Sequence, residues 1–261
     1  MTNEESQKAQ MHPTDCELCR EWWEEIRRRD MNKDSIGNRM KDNYENRYRV
    51  KLTRRTPVII RLDGNAFHTL TRKCIKPFDN KFRSAMQYTA VALCNKIQGS
   101  KCAYVQSDEI SILLTDFDTL TTEAWFDYNL QKIVSVSSGV ASTNFTINWN
   151  PKIPAIFDSR AFNIPKEEVC NYFIWRQQDW MRNSILMLSQ AHYSHKQLHG
   201  KNTPAMHEML HAKGVNWAEL EPVWKNGSFI TRDDDSIWYS TDNVIFKDNR
   251  EIVERNLKSM D

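Results

Sequence analysis

The sequence is poor in the features that mark membrane-spanning and secreted proteins. It has no run of 18 apolar residues, so we expect no membrane span. A signal peptide has a basic region, then an apolar region, then small residues. The first thirty residues here are charged and do not follow that order, so we expect no signal peptide. Glycine is scarce, with 7 in 261 residues, and the formal net charge is only +2. A hydrophobic content of 40% can still form a sizeable core. We therefore expect a globular, cytoplasmic protein.

Cysteine is too scattered to indicate a disulfide framework. The chain has six, several of them inside apolar runs, which favours reduced thiols. Cys16 and Cys19 have the spacing of metal ligands and could form a three-ligand zinc site with His12, but no second CxxC or histidine pair follows at zinc-finger distance. A polar N-terminal arm is the alternative. We predict an appendage over residues 1–38, with a helix from Glu17 to Arg29, and one main domain over residues 39–261.

One segment of the chain has a marked excess of positive charge. Residues 39–61 carry eight basic side chains against Asp42 and Glu45, with Tyr44 and Tyr48 between them. Such a segment can follow a phosphate backbone and stack on unpaired bases, although a solvated helix face has the same composition. The candidate RNA contacts here are Arg47, Arg54 and Arg55.

Hydrophobic patterns in the first half of the domain predict strand, helix and hairpin. The apolar residues 58–62 predict a strand, and Asp79 can cap a helix that ends before Gly99. The β-forming stretches 103–105 and 110–114 predict a hairpin with its acidic residues at the turn.

Patterns in the second half of the domain predict two further helices and a strand. We predict a helix over residues 123–142 with Phe126 inward, a strand over residues 155–158, and a long helix opened by Pro165. The order βαββαβ is that of an α+β, ferredoxin-like polymerase palm, with helical additions at both ends.

Two strand ends carry the candidate chemistry. Asp63 and Gly64 follow the first strand, and Ser107, Asp108 and Glu109 lie in the hairpin turn. In a palm topology Asp63 and Asp108 can converge, and with the Gly64 carbonyl they could hold Mg²⁺ and leave sites for triphosphate oxygens. Each motif taken singly is also ordinary turn chemistry. The loop residues Asn65, Ala66, Phe67 and His68 could offer backbone N–H groups to phosphates, and Lys76 and Lys132 could engage phosphates from downstream.

An ordered set of segments resembles the tRNA(His) guanylyltransferase and guanylyltransferase-like family. The resemblance spans roughly residues 39–246 and includes a C-terminal stretch over residues 213–227. Its most specific segments are MKDNYENR (40–47), IRLDGNAFH (60–68), YVQSDE (104–109) and WRQQD (175–179).

The resemblance implies a palm-fold enzyme that adds nucleotides to the 5′ end of tRNA in the 3′–5′ direction. Members activate the 5′ end with ATP or GTP, join an incoming nucleotide with GTP preferred, and use two Mg²⁺ ions. The partners implied are tRNA, either 5′-truncated or tRNA(His), and nucleoside triphosphates. By analogy the assembly is a homotetramer.

The family's functional residues can be carried over position by position. Asp63, Gly64 and Asp108 resemble the metal ligands, and Glu109 resembles their acidic neighbour. The residues that resemble the nucleotide-binding set are Asp63, Gly64, Asn65, Ala66, Phe67, His68, Lys76, Ser107, Asp108 and Lys132. Arg176 and Asn183 join the candidate RNA contacts.

One segment departs from the eukaryotic tRNA(His) enzymes. Where those carry His-Ile-Asn-Asn, this chain has Met181, Arg182, Asn183 and Ser184, so only Asn183 is kept. Members without the motif are associated with template-directed repair of truncated tRNAs. The departure therefore favours repair over non-templated guanylation of tRNA(His), which stays the alternative.

Other function classes remain open from the sequence. His207, Glu208 and His211 form a literal HExxH, the zinc-binding motif of metalloproteases, and His195 and His199 form another i, i+4 pair. The chain lacks the metzincin extension of that motif. A non-catalytic RNA-binding module is a third hypothesis, but the intact Asp63, Asp108 and Glu109 disfavour it. Nucleotide cyclases share the palm arrangement but would leave the segments at 40–47 and 175–179 unexplained.

Overall fold

The computed structural model describes residues 17, 20–21, 24–25, 35–150, 152–233 and 236–258. The chain divides into two compact units, Met1–Arg49 and Val50–Asp261. The described residues between 17 and 25 are helical and exposed. His12, Cys16 and Cys19 lie outside the described residues, so the zinc hypothesis and the boundary at residue 38 stay predictions.

The described end of the first unit is a run of short helical turns. Helix α1 spans Ile36–Met40 and is capped by Ser35, whose hydroxyl accepts from the backbone N–H of Asn38. A π-helical turn over Lys41–Glu45 and a 3₁₀ turn over Asn46–Tyr48 follow. All of these residues are exposed, in keeping with their polar and basic composition.

The second unit is built on a six-stranded antiparallel sheet with the order β4-β1-β3-β2-β5-β6. Its strands are β1 Val58–Gly64, β2 Ser100–Gln106, β3 Glu109–Leu114, β4 Phe157–Asn163, β5 Ser228–Arg232 and β6 Trp238–Thr241. The first four strands in the order β4-β1-β3-β2 confirm the predicted ferredoxin-like palm.

In the described part of the second unit, the strands are accompanied by eight helices. After α1 they are α2 Phe67–Leu70, α3 Asn80–Lys96, α4 Leu130–Trp149, α5 Lys166–His192, α6 His195–Leu198, α7 Thr203–His211, α8 Pro222–Asn226 and α9 Glu251–Glu254. Single 3₁₀ turns occupy Thr71–Lys73, Trp125–Tyr128, Trp217–Glu219 and Arg255–Leu257.

The sheet has a core on each face because β1 is apolar on both sides. Alternate residues Val58, Ile60 and Leu62 are fully buried in a cluster with α3 and α4. Ile59, between them, is buried in a second cluster with residues of α5 and the C-terminal segment. Since side chains alternate along a strand, Arg61 and Asp63 project on the α5 face, together with Ile59.

Several predicted elements are confirmed with longer bounds. Asp79 caps α3 by accepting from the backbone N–H of Phe82 at 2.9 Å, and Pro165 precedes α5 as predicted. The first strand extends beyond its apolar run to include Asp63 and Gly64. The hairpin turn is shorter than predicted, because Glu109 is the first residue of β3.

The predicted helix 123–142 was wrong at both ends. Asn129 caps α4 through a hydrogen bond from the backbone N–H of Lys132, so the helix begins at Leu130 and continues to Trp149. The preceding Phe126 has a positive φ of 52° and is 39% exposed instead of facing inward. The strand predicted over residues 155–158 begins at Phe157, two residues later.

The sequence pattern does not predict the hairpin β5–β6. It extends the sheet beyond β2, where Phe229 and Ile230 are buried, so the C-terminal addition is not purely helical. Among the described helices, none combines the length and apolarity needed to cross a membrane.

Candidate active site

The end of β1 and the β2–β3 turn meet at one end of the sheet. Asp63 lies directly opposite Glu109 of β3 and opposite Asp158 of β4. Residues opposite each other in an antiparallel pair project on the same face, so their carboxylates form a row across three strands. The backbone N–H of Gly64 donates to the carbonyl of Asp108 at 3.1 Å, which ties the two strand ends together. The predicted convergence of Asp63 and Asp108 follows from these pairings.

We call the concavity over this row the acidic pocket. It contains Asp63, Asp108, Glu109, Ser107, Arg176 and Asn183 from the predicted set. It also contains Arg61, Gln106 and Trp175, which the sequence pattern does not predict as site residues. Arg61 could have been found from its position two residues before Asp63 on the same strand face. Trp175 could not, because its place depends on how α5 packs on the sheet.

The carboxylates in the acidic pocket destabilise one another's charged forms. Burial raises the pKa of Asp63, and the nearby charges of Asp108, Glu109 and Asp158 raise it further. Burial is also the main cause of the raised pKa of Asp108. A divalent cation bound between them would offset both effects.

The donor set fits Mg²⁺ but is small. Among the described residues, we find no group of three or more His, Cys, Asp or Glu side chains that could hold a metal ion. Two carboxylates and a backbone carbonyl are therefore the protein ligands available at this point. That number suits Mg²⁺, which is held by one or two carboxylates and completes its shell with water and substrate phosphates.

Glu109 is held by Arg176 of α5. The guanidinium donates from Nε and Nη2 to the two carboxylate oxygens at 2.8 and 2.7 Å, and both residues are 8% exposed. Gln106 Nε2 donates to the same carboxylate at 3.1 Å. Glu109 is thus a fixed, charge-paired neighbour of Asp63, whereas Asp108 has no Arg or Lys contact of this kind in the described part of the chain.

The loop after β1 has a steric requirement for glycine at position 64. A Cβ at Gly64 would lie 2.4 Å from the ring of Phe67, which folds back beneath the loop and is 3% exposed. Phe67 packs on Phe82, Phe145 and Phe157, with centroids 4.9–6.1 Å apart. The Phe67 side chain is therefore mainly a packing element under the loop, although the residue also lines the cavity beside it.

Two other loop residues have defined backbone roles. The N–H of Asn65 donates to the carbonyl of Ile156 at 2.8 Å. Ala66 adopts a left-handed conformation with φ of 55°, which turns the chain into α2. Asn65 therefore anchors the loop to the segment before β4, and Ala66 sets the direction of the next helix.

A second concavity of about 300 Å³, which we call the aromatic cavity, shares Gln106, Ser107 and Asp108 with the acidic pocket. Its other polar lining residues include His68, Lys76, Asp79 and Arg83, and its apolar walls include Phe78, Met187, Trp180, Val223 and Trp224. His68 and Lys76 were predicted to bind nucleotide, and both lie here. Lys132 lies at the start of α4, with Nζ 5.8 Å from the centroid of the Phe126 ring, and lines neither concavity.

The predicted RNA contacts differ in their surroundings. Arg47 is exposed in the first unit. Arg54 pairs with Asp116 and Asp127, and Arg55 donates to the carbonyls of Asp116, Thr119 and Leu120. These two guanidinium groups therefore hold the 116–127 loop as well as presenting positive charge.

The HExxH segment lies in α7. His207 packs edge-on against Trp217, with ring centroids 5.8 Å apart. Neither His207, Glu208 nor His211 belongs to a three-residue metal-binding group among the residues that the structure describes. The geometry therefore gives the metalloprotease hypothesis no support.

Comparisons with known proteins point to one family. The model of the family "Thg1: tRNAHis guanylyltransferase" matches residues 37–165. The tRNA(His) guanylyltransferase of Schizosaccharomyces pombe is 28% identical over 214 residues, which cover 74% of this chain and 80% of the yeast protein.

Two solved structures are more similar. A bacterial tRNA(His) guanylyltransferase (Thg1)-like protein in complex with ATP is 46% identical, with a TM-score of 0.82. A bacterial protein of the same description in complex with GTP is 42% identical, with a TM-score of 0.74. Each match covers 86% of this chain and 99% of the other.

Proposed function

This chain belongs to the tRNA(His) guanylyltransferase family of nucleotidyltransferases, and we propose that it repairs 5′-truncated tRNAs by templated addition in the 3′–5′ direction. The main structural support for nucleotide addition is that two concavities meet at Ser107 and Asp108. One is acidic and suits metal-bound phosphates, and the other is aromatic and suits a base. The difference from the His-Ile-Asn-Asn motif at residues 181–184 is the reason for proposing repair and not guanylation of tRNA(His).

The proposed reaction has two transfers. In the first, an oxygen of the RNA 5′-monophosphate attacks the α-phosphorus of ATP or GTP, a phosphoanhydride forms, and pyrophosphate leaves. In the second, the 3′-hydroxyl of the incoming triphosphate, GTP by preference, attacks the RNA 5′-phosphorus. A phosphodiester bond forms, AMP or GMP leaves, and the hydroxyl proton passes to solvent.

We assign the chemistry to the carboxylates at the end of β1. Asp63, the Gly64 carbonyl and Asp108 would hold two Mg²⁺ ions with the help of substrate oxygens. Bound there, Mg²⁺ neutralises phosphate charge and lowers the pKa of a coordinated hydroxyl. Arg176 holds the carboxylate of Glu109 beside Asp63 through two hydrogen bonds.

The nucleotide-binding role falls to the loop after β1 and the cavity beside it. His68, Lys76 and Ser107 line the aromatic cavity next to Asp108, where a cationic side chain can engage a triphosphate. Ala66 and Phe67 would contribute through their backbone N–H groups, whereas the N–H predicted to serve at Asn65 is already donated to the carbonyl of Ile156. Lys132 lines neither the acidic pocket nor the aromatic cavity, so it would have to reach a phosphate from outside them.

The RNA end is proposed to enter the acidic pocket. Trp175 is 48% exposed at its edge, and the Arg176 guanidinium lies 4.5 Å from the Trp175 ring centroid. An exposed indole on a rigid helix suits stacking with an unpaired base. Arg47, Arg54 and Arg55 would supply charge for the RNA backbone, and Asn183 would contact the RNA inside the pocket.

The 181–184 segment favours a templated reaction. Asn183 lines the acidic pocket, whereas Arg182 pairs with Asp179 at 2.8 Å and Ser184 is buried, with its hydroxyl bonded to Trp217 Nε1 at 2.9 Å. Only one side chain of the segment therefore faces the pocket. Watson–Crick pairing with the opposite strand would then select the nucleotide, and the protein would recognise RNA shape.

The decisive experiment compares three RNAs with all four nucleotides and Mg²⁺. A tRNA lacking its first nucleotide, the same tRNA with the opposite base changed, and intact tRNA(His) are incubated separately, and the added nucleotides are identified. We expect the added nucleotide to follow the opposite base. Addition of one G to tRNA(His), whatever base stands opposite, would establish guanylation instead.

Assembly and location are proposed from the family resemblance alone. We propose a homotetramer acting in the cytoplasm. Light scattering coupled to size-exclusion chromatography measures the first, and localisation of the tagged full chain measures the second. A monomer in solution would contradict the tetramer.

A further inference from the structure

The acidic pocket contains an arginine that the protein leaves without an ion pair. Arg61 projects from β1 on the same face as Asp63 and lines the pocket. Its guanidinium forms no hydrogen bond and no ion pair with any other residue that the structure describes. The second arginine of the pocket, Arg176, is by contrast paired with Glu109 through two hydrogen bonds. Arg61 therefore has charge and donors available for a ligand.

The polar groups beside Arg61 on β3 and α5 are already engaged with one another. Ser111 lies directly opposite Arg61 in the sheet. Its hydroxyl is bonded to the hydroxyl of Tyr172 at 2.8 Å and to Oε1 of Glu109 at 3.3 Å. These groups satisfy each other and hold the floor of the pocket, so a partner for Arg61 has to come from outside the protein.

The neighbouring strand on the other side adds repulsion. Arg160 of β4 lies directly opposite Arg61, and like charges in that relationship are destabilising. Arg160 has its own partner, because its guanidinium donates to Asp158 at 3.1 Å. The unpaired positive charge at Arg61 is therefore stabilised most by an anion that enters the acidic pocket.

The candidate metal ligand beside Arg61 indicates which anion is suitable. Asp63 is two residues further along β1, which separates the two Cα atoms by about 7 Å. The positive charge of Arg61 lowers the pKa of Asp63, so the two side chains are electrostatically close. A cation at that distance repels Mg²⁺ unless an anion lies between them. A phosphate group can do this, since it offers one oxygen to a metal and others to the planar fork of an arginine.

The two concavities distinguish an RNA phosphate from a triphosphate. Arg61 lines the acidic pocket together with Trp175 and Asn183, and it is not part of the wall of the aromatic cavity. His68 and Lys76, to which we assigned the triphosphate, line the aromatic cavity. Because the RNA end is assigned to the side of Trp175, a phosphate at Arg61 belongs to the RNA.

We propose that Arg61 binds the 5′-terminal phosphate of the RNA in the acidic pocket, beside the candidate metal ligand Asp63. This rests on the proposed function, in which that phosphate is the nucleophile of the first transfer and the centre attacked in the second. Arg61 donates hydrogen bonds to the oxygens that do not react, and its guanidinium keeps its protons throughout. It thereby orients the phosphate and offsets its charge in both transfers.

The test compares two RNAs that differ only in the group under study. A tRNA lacking its first nucleotide is prepared with a 5′-phosphate and with a 5′-hydroxyl, and the Kd of each is measured by fluorescence anisotropy with Mg²⁺ and without nucleotides. We expect the wild type to bind the phosphorylated RNA more tightly. In Arg61→Gln the ratio of the two Kd values should fall about tenfold or more, the loss typical of a hydrogen bond to a charged group. Arg61→Lys keeps the charge and should retain part of the ratio.

Two controls separate this role from a general loss of charge or of nucleotide binding. Arg250→Gln removes a guanidinium that pairs with Glu254 at 3.1 Å and lines neither concavity, and it should keep the wild-type ratio. The Kd of Arg61→Gln for ATP, measured by calorimetry, should equal that of the wild type. Thermal unfolding checks that each variant is folded.

Three results would overturn the proposal. The first is equal binding of the two RNAs by the wild type, a measurement that needs no variant. The second is an unchanged ratio in Arg61→Gln. The third is a weaker affinity of Arg61→Gln for ATP with an unchanged preference for the 5′-phosphate, which would assign Arg61 to the triphosphate.

The proposed function and this inference fail in distinguishable ways. Addition of one G to intact tRNA(His) by the wild type, together with a lost 5′-phosphate preference in Arg61→Gln, removes templated repair and leaves the phosphate site. Complementary addition to truncated tRNA, together with an unchanged preference in Arg61→Gln, removes only the role of Arg61.

Discussion

Arg176 and Glu109 form a buried, bidentate ion pair that joins α5 to the first residue of β3. The two N–O distances are 2.8 and 2.7 Å, and each residue is 8% exposed. The same Glu109 lies opposite Asp63 in the sheet, so the position of α5 and the charge beside the candidate metal ligand are coupled. Several expected outcomes depend on this arrangement and on the loop beside it.

Replacing Arg176 with alanine should destabilise the fold strongly. It leaves Glu109 charged and buried without a partner, which typically costs about 3–5 kcal/mol. Arg182→Ala is the control, since Arg182 is exposed and pairs with the neighbouring Asp179 on the helix surface. Urea denaturation measures both. The pair variant Arg176→Met with Glu109→Leu should recover part of the loss, and an Arg176→Ala protein as stable as Arg182→Ala would contradict the prediction.

Removing either candidate metal ligand should abolish nucleotide addition. Asp63→Ala and Asp108→Ala are each expected to slow addition to a 5′-truncated tRNA by about a hundredfold or more, because charge stabilisation at the phosphates is lost. RNA binding, measured by filter retention, should stay near that of the wild type. Asp158→Ala is the control, because Asp158 is opposite Asp63 but pairs with Arg160 at 3.1 Å. Retained addition in both ligand variants would refute the metal site.

Gly64→Ala and Gly139→Ala should have opposite effects on stability. A Cβ at Gly64 meets the Phe67 ring at 2.4 Å, and relieving this overlap should cost about 1–3 kcal/mol. A Cβ at Gly139 meets nothing within 4 Å, so alanine in that helix interior should stabilise by about 0.5–1 kcal/mol. Thermal unfolding of the two variants provides the comparison. A neutral Gly64→Ala would show that Phe67 can move without cost.

Asp79 should give the protein an acid-sensitive helix cap. Burial raises the pKa of this carboxyl, but hydrogen bonds from the backbone N–H groups of Phe82 and Ile75, each at 2.9 Å, outweigh burial and hold the pKa below its ordinary value of 3.8. A carboxyl with a lowered pKa stabilises the fold above the pKa of the unfolded chain, and this contribution disappears as pH falls through the folded pKa.

The two substitutions at Asp79 separate charge from hydrogen bonding. At neutral pH, Asp79→Ala should lose about 1 kcal/mol of unfolding free energy, and Asp79→Asn should lose less because its amide oxygen can still accept. In acid the wild type should approach the Asn variant. Denaturant titrations from neutral pH to below pH 4 measure the difference, and a constant gap between wild type and Asp79→Asn would contradict the expectation.

Local chemistry was enough to predict the palm strands, the capped helix α3 and the start of α5. Each has a strong local cause: an apolar run at β1, the Asp79 side chain before α3, and Pro165 before α5. The start of α4 was predicted seven residues too early because Trp125–Tyr128 carries left-handed residues that the pattern cannot reveal. The β5–β6 hairpin was missed because its pairing with β2 joins residues more than a hundred positions apart.

Some features of the candidate active site also follow from the sequence alone, and others depend on the tertiary structure. The sequence by itself determined that Asp63, Gly64, Ser107, Asp108 and Glu109 stand at strand ends, since apolar runs end there and acidic residues follow. Only the tertiary structure decided that Glu109 is paired with Arg176, that Gly64 makes room for Phe67, and that Gln106 and Trp180 line one cavity. Those relationships depend on how α5 and the loop after β1 pack on the sheet, and packing between distant segments leaves no periodic pattern in a single chain.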